Sequence, residues 1–402
     1  MRITYLHQYF NTPTMSGSTR SYEMARRLVK MGHEVNLITA WRGGGSENGW
    51  FMTEEAGIRV HWISIPYSNR MGYGRRIQAF LKFAIHAARR AAGIPSDLIF
   101  ASSTPLTIAL PAVWASWRKR IPMVLEVRDL WPEVPIAMGA LNNPIIRQTA
   151  KLLEKFAYAK SSAIVALSPD MKNGIVRAGY PEKQVFVIPN GSDLDLLKTN
   201  SNAAQSFRVD HQIPLDRILM VYAGTLGKVN GVGYLVELAK EMADDSRFYI
   251  LIIGDGAERD SIQAAAISSG RLNDNLKIIG QVPKSEIGRV LSSADITIST
   301  VIPIKELEAN SANKVFDGMA AGNCIAINHG GWLNKLLKET GAGMVLSQNP
   351  QLAAAELRRW LDDPDKLKEA KVNARRLAEE VFSRDKLAKN LDEIIRKVRE
   401  KS

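Results

Sequence analysis

Short apolar runs rich in β-branched residues recur along the chain, and stretches of helical period separate them. In the first half the runs fall at 2–6, 33–39, 58–64, 97–102, 122–128, 162–167 and 184–188. Several are apolar throughout, as strands buried on both faces require. Between them, residues 20–31 put Met24, Leu28 and Met31 on one helical face, with Gly32 as a stop signal. Residues 144–160 and 169–178 have the same period. The second half repeats the alternation, with strands at 218–223, 248–253, 276–282, 296–300, 324–328 and 344–346. Helices are expected there near 231–243, 257–269, 284–293, 313–321, 332–340 and 351–361, followed by one long charged helix over 365–400.

Strand and helix in alternation predict a parallel sheet with right-handed crossovers. Two such series predict an α/β chain of two Rossmann-like domains, 1–198 and 199–375, with a terminal helix at 376–402. The polar stretch from Thr199 to Leu215 reads as the linker. Open parallel sheets bind ligands at the carboxyl ends of their strands, so a site in a cleft faced by both sheets is expected.

Composition narrows the class. The length of 402 residues suits two domains of about 150–200 residues each. The single cysteine, Cys324, excludes an intrachain disulfide and fits a reducing compartment, as a small buried residue. MRITYL does not read as a signal peptide, and no run of 18 apolar residues predicts a membrane span. Charge is unevenly placed: residues 1–200 hold 25 Lys and Arg against 14 Asp and Glu, and residues 201–402 hold 28 against 27. A basic first half invites an anionic partner.

Six segments carry candidate chemistry. Met15–Arg20 (MSGSTR) is a small-residue loop opening a helix, able to cradle an anion or to act as a simple capped turn. It lacks GxGxxG, which argues against a dinucleotide oxidoreductase. In Tyr222–Gly231, Gly224 and Gly227 permit close backbone approach, and Lys228 either reaches a phosphate or is solvated. Ile252–Glu258 (IIGDGAE) reads as a strand-to-helix turn. In Ala309–Gly322, Asn313 is the expected N-cap, Lys314 suits a diphosphate, and Asp317 suits ribose hydroxyls or the helix dipole.

In Glu126–Glu133 (EVRDLWPE), charged groups crowd the carboxyl end of a strand. Asp129 is placed there to orient or deprotonate a hydroxyl and Arg128 to stabilise a leaving phosphate. Residues 75–92 form a basic amphipathic helix, with Ile77, Phe80, Leu81, Ala84 and Ala88 at helical spacing and Arg75, Lys82 and Arg89 seven apart. It suits either an anionic membrane surface or the outside of a sheet, and Trp114, Trp117 and Arg118–Arg120 add basic-aromatic character. None of the six histidines has metal-ligand spacing, so no metal is expected.

Taken together, these segments resemble the family 4 retaining glycosyltransferases of GT-B fold across essentially the whole chain. The resemblance is carried by Ser16–Gly17, GHEV at 32–35, RDLWPE at 128–133, SPDM at 168–171, IPNGSD at 188–193, YAGTLG at 222–227, IIGDGAE at 252–258, GQVP at 280–283 and NKVFDGMAAG at 313–322. EVRDLWPE and NKVFDGMAAG further resemble the O-antigen and capsule branch of L-fucosamine transferases. The resemblance implies a UDP-sugar held by the second domain. Gly224, Thr225, Lys228, Asn313 and Lys314 would bind the donor, Val282 would lie near the base and Asp317 near the ribose, with Ser16, Gly17 and Arg20 approaching the diphosphate from the first domain. It implies no cofactor or metal, a polyprenyl-diphosphate-linked saccharide acceptor, a cytoplasmic location at the inner face of the plasma membrane, and no nucleic acid. The C-terminal helix would return to the first domain.

Three positions depart from the family pattern. The usual Arg and Lys for the diphosphate fall on Thr225 and Asn230, the usual paired glutamates on Ala309 and Asp317, and the frequent acceptor-side His on Arg128. Glu306 or Glu308 stands close enough in sequence to compensate for Ala309. The alternatives are a UDP-sugar 2-epimerase and a non-catalytic protein that binds a membrane or nucleic acid.

Overall fold

A computed structural model describes residues 1–15, 17–43, 49–67, 71–197 and 201–401 of the chain. It divides into two compact units, Met1–Pro189 with Asp385–Ser402, and Asn190–Arg384.

The first unit is built on eight strands: β1 (Arg2–Leu6), β2 (Glu34–Trp41), β3 (Trp50–Glu55), β4 (Ile58–Ser64), β5 (Leu98–Ser102), β6 (Met123–Val127), β7 (Ala163–Ala166) and β8 (Val185–Val187). Their order is β3-β4-β2-β1-β5-β6-β7-β8. Every pair is parallel except β3 with β4. The crossovers are α1 (Arg20–Lys30), α2 (Tyr73–Gly93), α3 (Ala109–Lys119), α4 (Glu133–Ala137), α5 (Pro144–Ala159) and α6 (Pro169–Arg177). β3 was not expected: its alternating, half-exposed side chains suit an edge position. Ala56 and Gly57, both at positive φ, make the two-residue turn into β4.

Ile3, Tyr5, Leu37, Phe100 and Val124 of the sheet pack with Met24 and Leu28 of α1. Leu387, Leu391 and Ile395 of the C-terminal helix Arg384–Glu400 fill the same core. That helix therefore completes the first unit.

The second unit contains α7 (Ser201–Asp210), β9 (Ile218–Ala223), α8 (Gly233–Glu241), β10 (Phe248–Ile253), α9 (Arg259–Ser268), β11 (Leu276–Ile279), α10 (Ile287–Ser293), β12 (Ile296–Ser299), α11 (Asn313–Ala320), β13 (Cys324–Ile327), α12 (Gly331–Thr340), β14 (Gly343–Val345), α13 (Pro350–Leu361) and α14 (Pro364–Glu380). Its six strands are all parallel, in the order β11-β10-β9-β12-β13-β14.

Two organisational expectations need correction. The stretch from Thr199 is not a bare linker. Phe207 of α7 is buried, and Arg208 donates to the Ser293 carbonyl and to Asp295, so this segment belongs to the second unit. The tail is two helices rather than one. Between them Phe382 is buried against Phe316 and Trp332, and Ser383 bridges Ser192, which draws the backbone out of its helical path.

Candidate functional site

In each sheet the chain reverses its direction of travel once, between β1 and β5 in the first unit and between β9 and β12 in the second. The carboxyl ends of the strands beside such a reversal are where an open α/β sheet leaves a crevice for ligands.

In the first unit β1 delivers His7, β6 delivers Arg128 and Asp129, and the loop before α1 delivers Gly17 and Ser18. Arg128 bonds His7 Nε2 at 3.2 Å and Ser18 Oγ at 3.0 Å. A guanidinium only donates, so His7 Nε2 is the acceptor. Nδ1 then carries the proton and donates to Ser21 Oγ at 2.8 Å. Burial, with Arg128 and Arg42 nearby, holds the His7 pKa well below its ordinary value, so the ring is neutral. Gly17 is packed so tightly on Asn11 that a Cβ would lie 2.7 Å from Asn11 Nδ2.

Asp129 accepts from Thr104 Oγ1 at 3.3 Å. Its carboxylate reaches solvent yet is crowded by protein. Desolvation raises its pKa, against the pull of Arg128 and the Thr104 hydroxyl. Arg128 and Asp129 thus leave β6 side by side, one a fixed cation and the other a carboxylate poised to accept a proton.

Arg20, expected at the donor diphosphate, is turned inward. Its Nε donates to Glu126 Oε1 at 2.9 Å, and its terminal nitrogens donate to the carbonyls of Pro189 (2.7 Å) and Ile188 (2.9 Å). Both side chains are sealed, with 2% and 0% exposed. Burial alone would raise the Glu126 carboxyl, but Arg20 and Arg128 hold it below its usual range. A buried, hydrogen-bonded guanidinium of this kind braces the fold and leaves little for a ligand. Ser16 lies outside the described residues.

In the second unit the expected residues Gly224 and Lys314 meet. Lys314 Nζ donates to Tyr222 Oη at 3.2 Å and lies 4.3 Å from the Tyr222 ring centroid. A Cβ on Gly224 would stand 3.0 Å from Lys314 Cε, so the glycine leaves room for the amine. Desolvation lowers the Lys314 pKa to about 8. Among the described residues no carboxylate pairs with it. Tyr222 Oη in turn donates to the Thr225 carbonyl at 2.8 Å, which also accepts from Asn230 Nδ2 at 3.0 Å. Thr225 and Lys228 are exposed. Val282 is half-buried against the cluster of Val221, Leu251 and Ile253.

The loop into α11 is tied to the segment after β8. Asn190 donates to Ser311 through its backbone (3.1 Å) and side chain (2.5 Å), and Ser192 Oγ donates to Asp317 Oδ1 at 2.5 Å. Burial raises the Asp317 carboxyl, opposed by Arg384 and Ser192. The expected N-cap at Asn313 is corrected: Ala312 occupies that place and makes no side-chain cap bond, leaving Asn313 as the first helical residue.

One further group lay beyond the reach of the pattern. His329, at the carboxyl end of β13, donates from Nδ1 to the Gly330 carbonyl at 2.8 Å, and its buried Nε2 has no partner among the described residues. Desolvation lowers its pKa, so this nitrogen is a bare acceptor. The Glu308 carboxylate packs on Gly330, where a Cβ would lie 2.8 Å from Oε2. The only signal for His329 was its place at the end of an apolar run. Among the described residues, no group of His, Cys, Asp or Glu is placed to hold a metal ion, and no helix is long and apolar enough to cross a membrane.

Two family models match the chain, the glycosyl transferase 4-like domain over residues 17–191 and glycosyl transferases group 1 over residues 204–377. This chain belongs to the family 4 glycosyltransferases of GT-B fold. A protein of Escherichia coli K12 named for colanic acid biosynthesis, the glycosyl transferase WcaI, is 21% identical over 273 residues, which cover 62% of the present glycosyltransferase and 65% of the relative. The aligned part thus falls just short of two thirds of that relative's length. Sucrose-phosphate synthase from Thermosynechococcus elongatus shares the fold with a TM-score of 0.79, 17% identity and full coverage of both chains. Anabaena HepE, solved in complex with UDP, has a TM-score of 0.72 at 16% identity, covering 99% of this chain and 100% of its own. In this glycosyltransferase Asn230, one of the two residues that depart from the pattern the resemblance implies, is bonded back to the carbonyl of the other, Thr225. Lys314 reaches the β9 end of the sheet, where it meets Tyr222.

Proposed function

We propose that the chain is a retaining transferase of N-acetylhexosaminyl type, N-acetyl-L-fucosaminyl in the branch it resembles. It takes the sugar from UDP and places it on a lipid-linked saccharide during O-antigen or capsule assembly at the inner face of the plasma membrane. The observation that carries this reading is the desolvated Lys314 amine, held against Tyr222 and Gly224 at the reversal of the second sheet. A cation short of water and of a carboxylate partner suits a diphosphate. Lys314 and the amino end of α11 would stabilise the charge that develops on departing UDP, without metal. Gly224, Thr225, Lys228, Val282, Asn313 and Asp317 complete the donor side, and Arg128 and Asp129 the acceptor side. The UDP complex of HepE and the polysaccharide role in the name of WcaI are in keeping with it.

A thermal-shift panel of UDP, GDP, ADP and dTDP, with and without EDTA, tests the donor, because a ligand that binds only the native state raises Tm. UDP alone should raise it, with EDTA making no difference; a chain indifferent to all four would sink the reading. With a lipid-linked acceptor, Asp129→Asn should lower kcat about 100-fold or more while leaving the UDP shift intact.

A further inference from the structure

The first unit carries 30 Lys and Arg against 16 Asp and Glu, and the second 23 against 25. The excess lies wholly on the unit that does not contain Lys314. An anionic ligand of its own is therefore in order there.

The carboxyl ends of the neighbouring strands β1, β2 and β4 are followed by Tyr9, Arg42 and Tyr67. The Arg42 guanidinium lies 5.5 Å from the Tyr9 ring centroid, and the Tyr9 and Tyr67 rings are 4.9 Å apart. Tyr67 stacks on Phe80 of α2 at 5.8 Å. Arg42 is exposed and donates to Asn11 Oδ1, and among the described residues it has no ion pair. Asn11 also donates to the Ser18 carbonyl at 3.2 Å, which joins Arg42 to the loop that Arg128 grips. The Tyr9 hydroxyl is buried beside Tyr67, and among the described residues both amide atoms of the adjacent Gln8 lack a hydrogen-bond partner. Arg76, in the first turn of α2, is near enough to act electrostatically on the Tyr9 phenol.

A guanidinium laid against an aromatic ring and steadied by one amide can offer its planar fork of N–H donors to the oxygens of a phosphoryl group. Beyond this cluster α2 presents Ile77, Leu81 and Ile85 to solvent at 52%, 47% and 55% exposure. Phosphate recognition beside an uncovered apolar helix face matches an amphiphile with a phosphoryl head.

We propose that Arg42, braced by Tyr9 and Tyr67, holds the diphosphate of the prenyl-linked acceptor at a site of its own in the first unit. The assignment rests on the reading that the acceptor is lipid-linked. It predicts that the full-length chain, saturated with UDP, still binds geranyl diphosphate. Arg42→Gln should weaken that binding about tenfold or more, and Tyr9→Phe by a smaller factor, with UDP affinity unchanged in both. Tyr9→Phe removes one oxygen only and keeps the test open if Arg42→Gln folds poorly.

Three results would overturn the site: no binding of geranyl diphosphate, its displacement by UDP, or equal binding by wild type and both variants. If Arg42→Gln instead loses only its binding to phosphatidylglycerol vesicles, the cluster reads a membrane headgroup and the acceptor assignment falls. The underlying reading is tested separately by sugar transfer: transfer to a soluble, unphosphorylated glycoside as fast as to a lipid-linked one would remove the lipid-linked acceptor whatever Arg42 binds.

Discussion

Lys314 shows how burial tunes one residue in two directions. Its pKa is depressed from 10.5 to about 8, with desolvation as the cause. An amine whose folded pKa lies below its unfolded value is a protonated group that the fold disfavours. Ligand-free stability should therefore rise with pH from about 8 toward the unfolded value, where the unfolded chain holds the extra proton. UDP affinity should move the other way, weakening as pH climbs through about 8 and the amine loses its charge. A titration of UDP affinity from about pH 7 to about 9 checks this, and Lys314→Met should flatten the profile and lower affinity about tenfold or more. A flat profile in the wild type would remove Lys314 from the phosphate site. The Arg20–Glu126 pair is the contrasting case, since its charges already satisfy one another and two backbone carbonyls.

At the scale of the element, α2 is the informative helix. Its buried stripe is Ala79, Phe83, Ala87 and Ala91, four residues apart. A second four-residue stripe, Ile77, Leu81 and Ile85, faces solvent among the exposed Arg75, Lys82 and Arg89. On the adjoining α3, Trp117 is 73% exposed. An amphipathic helix that covers its sheet with alanines and shows branched apolar residues outside suits an anionic bilayer surface. The double change Leu81→Gln, Ile85→Gln should alter stability by no more than about 0.5 kcal/mol, because both side chains are exposed. Sedimentation with phosphatidylglycerol vesicles should show clearly reduced binding. Unchanged partitioning would assign the stripe no lipid role.

For the whole molecule, the decisive feature is that the first unit is discontinuous in sequence. Its core closes only when Leu387, Leu391 and Ile395 return from the far end of the chain. Leu391→Ala should cost the first unit about 2–5 kcal/mol. The core of the second unit contains none of these residues. Calorimetry should resolve a lowered transition for the first unit beside an unmoved one that UDP still raises. A uniform shift of both transitions would show that the units unfold as one.

Periodicity alone determined most of the elements, because apolar spacing reflects which backbone faces must leave water, and that is a local property. The strands at 2–6, 58–64, 218–223 and 248–253 fall where the pattern predicts. The edge strand β3 escaped because one half-wet face dilutes its signal, and the break at Phe382 because a charged helical pattern continues through it. The glycine-bearing loop ends and Lys314 stood out as candidate chemistry, since small residues after a strand and a cation at a helix start both suit an anion. Tertiary structure decided their partners. Arg20 finds Glu126 from 106 positions away, Lys314 finds Tyr222 from 92, and Arg42 finds Tyr9 across two neighbouring strands. Strand order sets those meetings, and strand order comes from packing the whole chain, so no window of sequence could tell a guanidinium locked inside the fold from one held open for a phosphate.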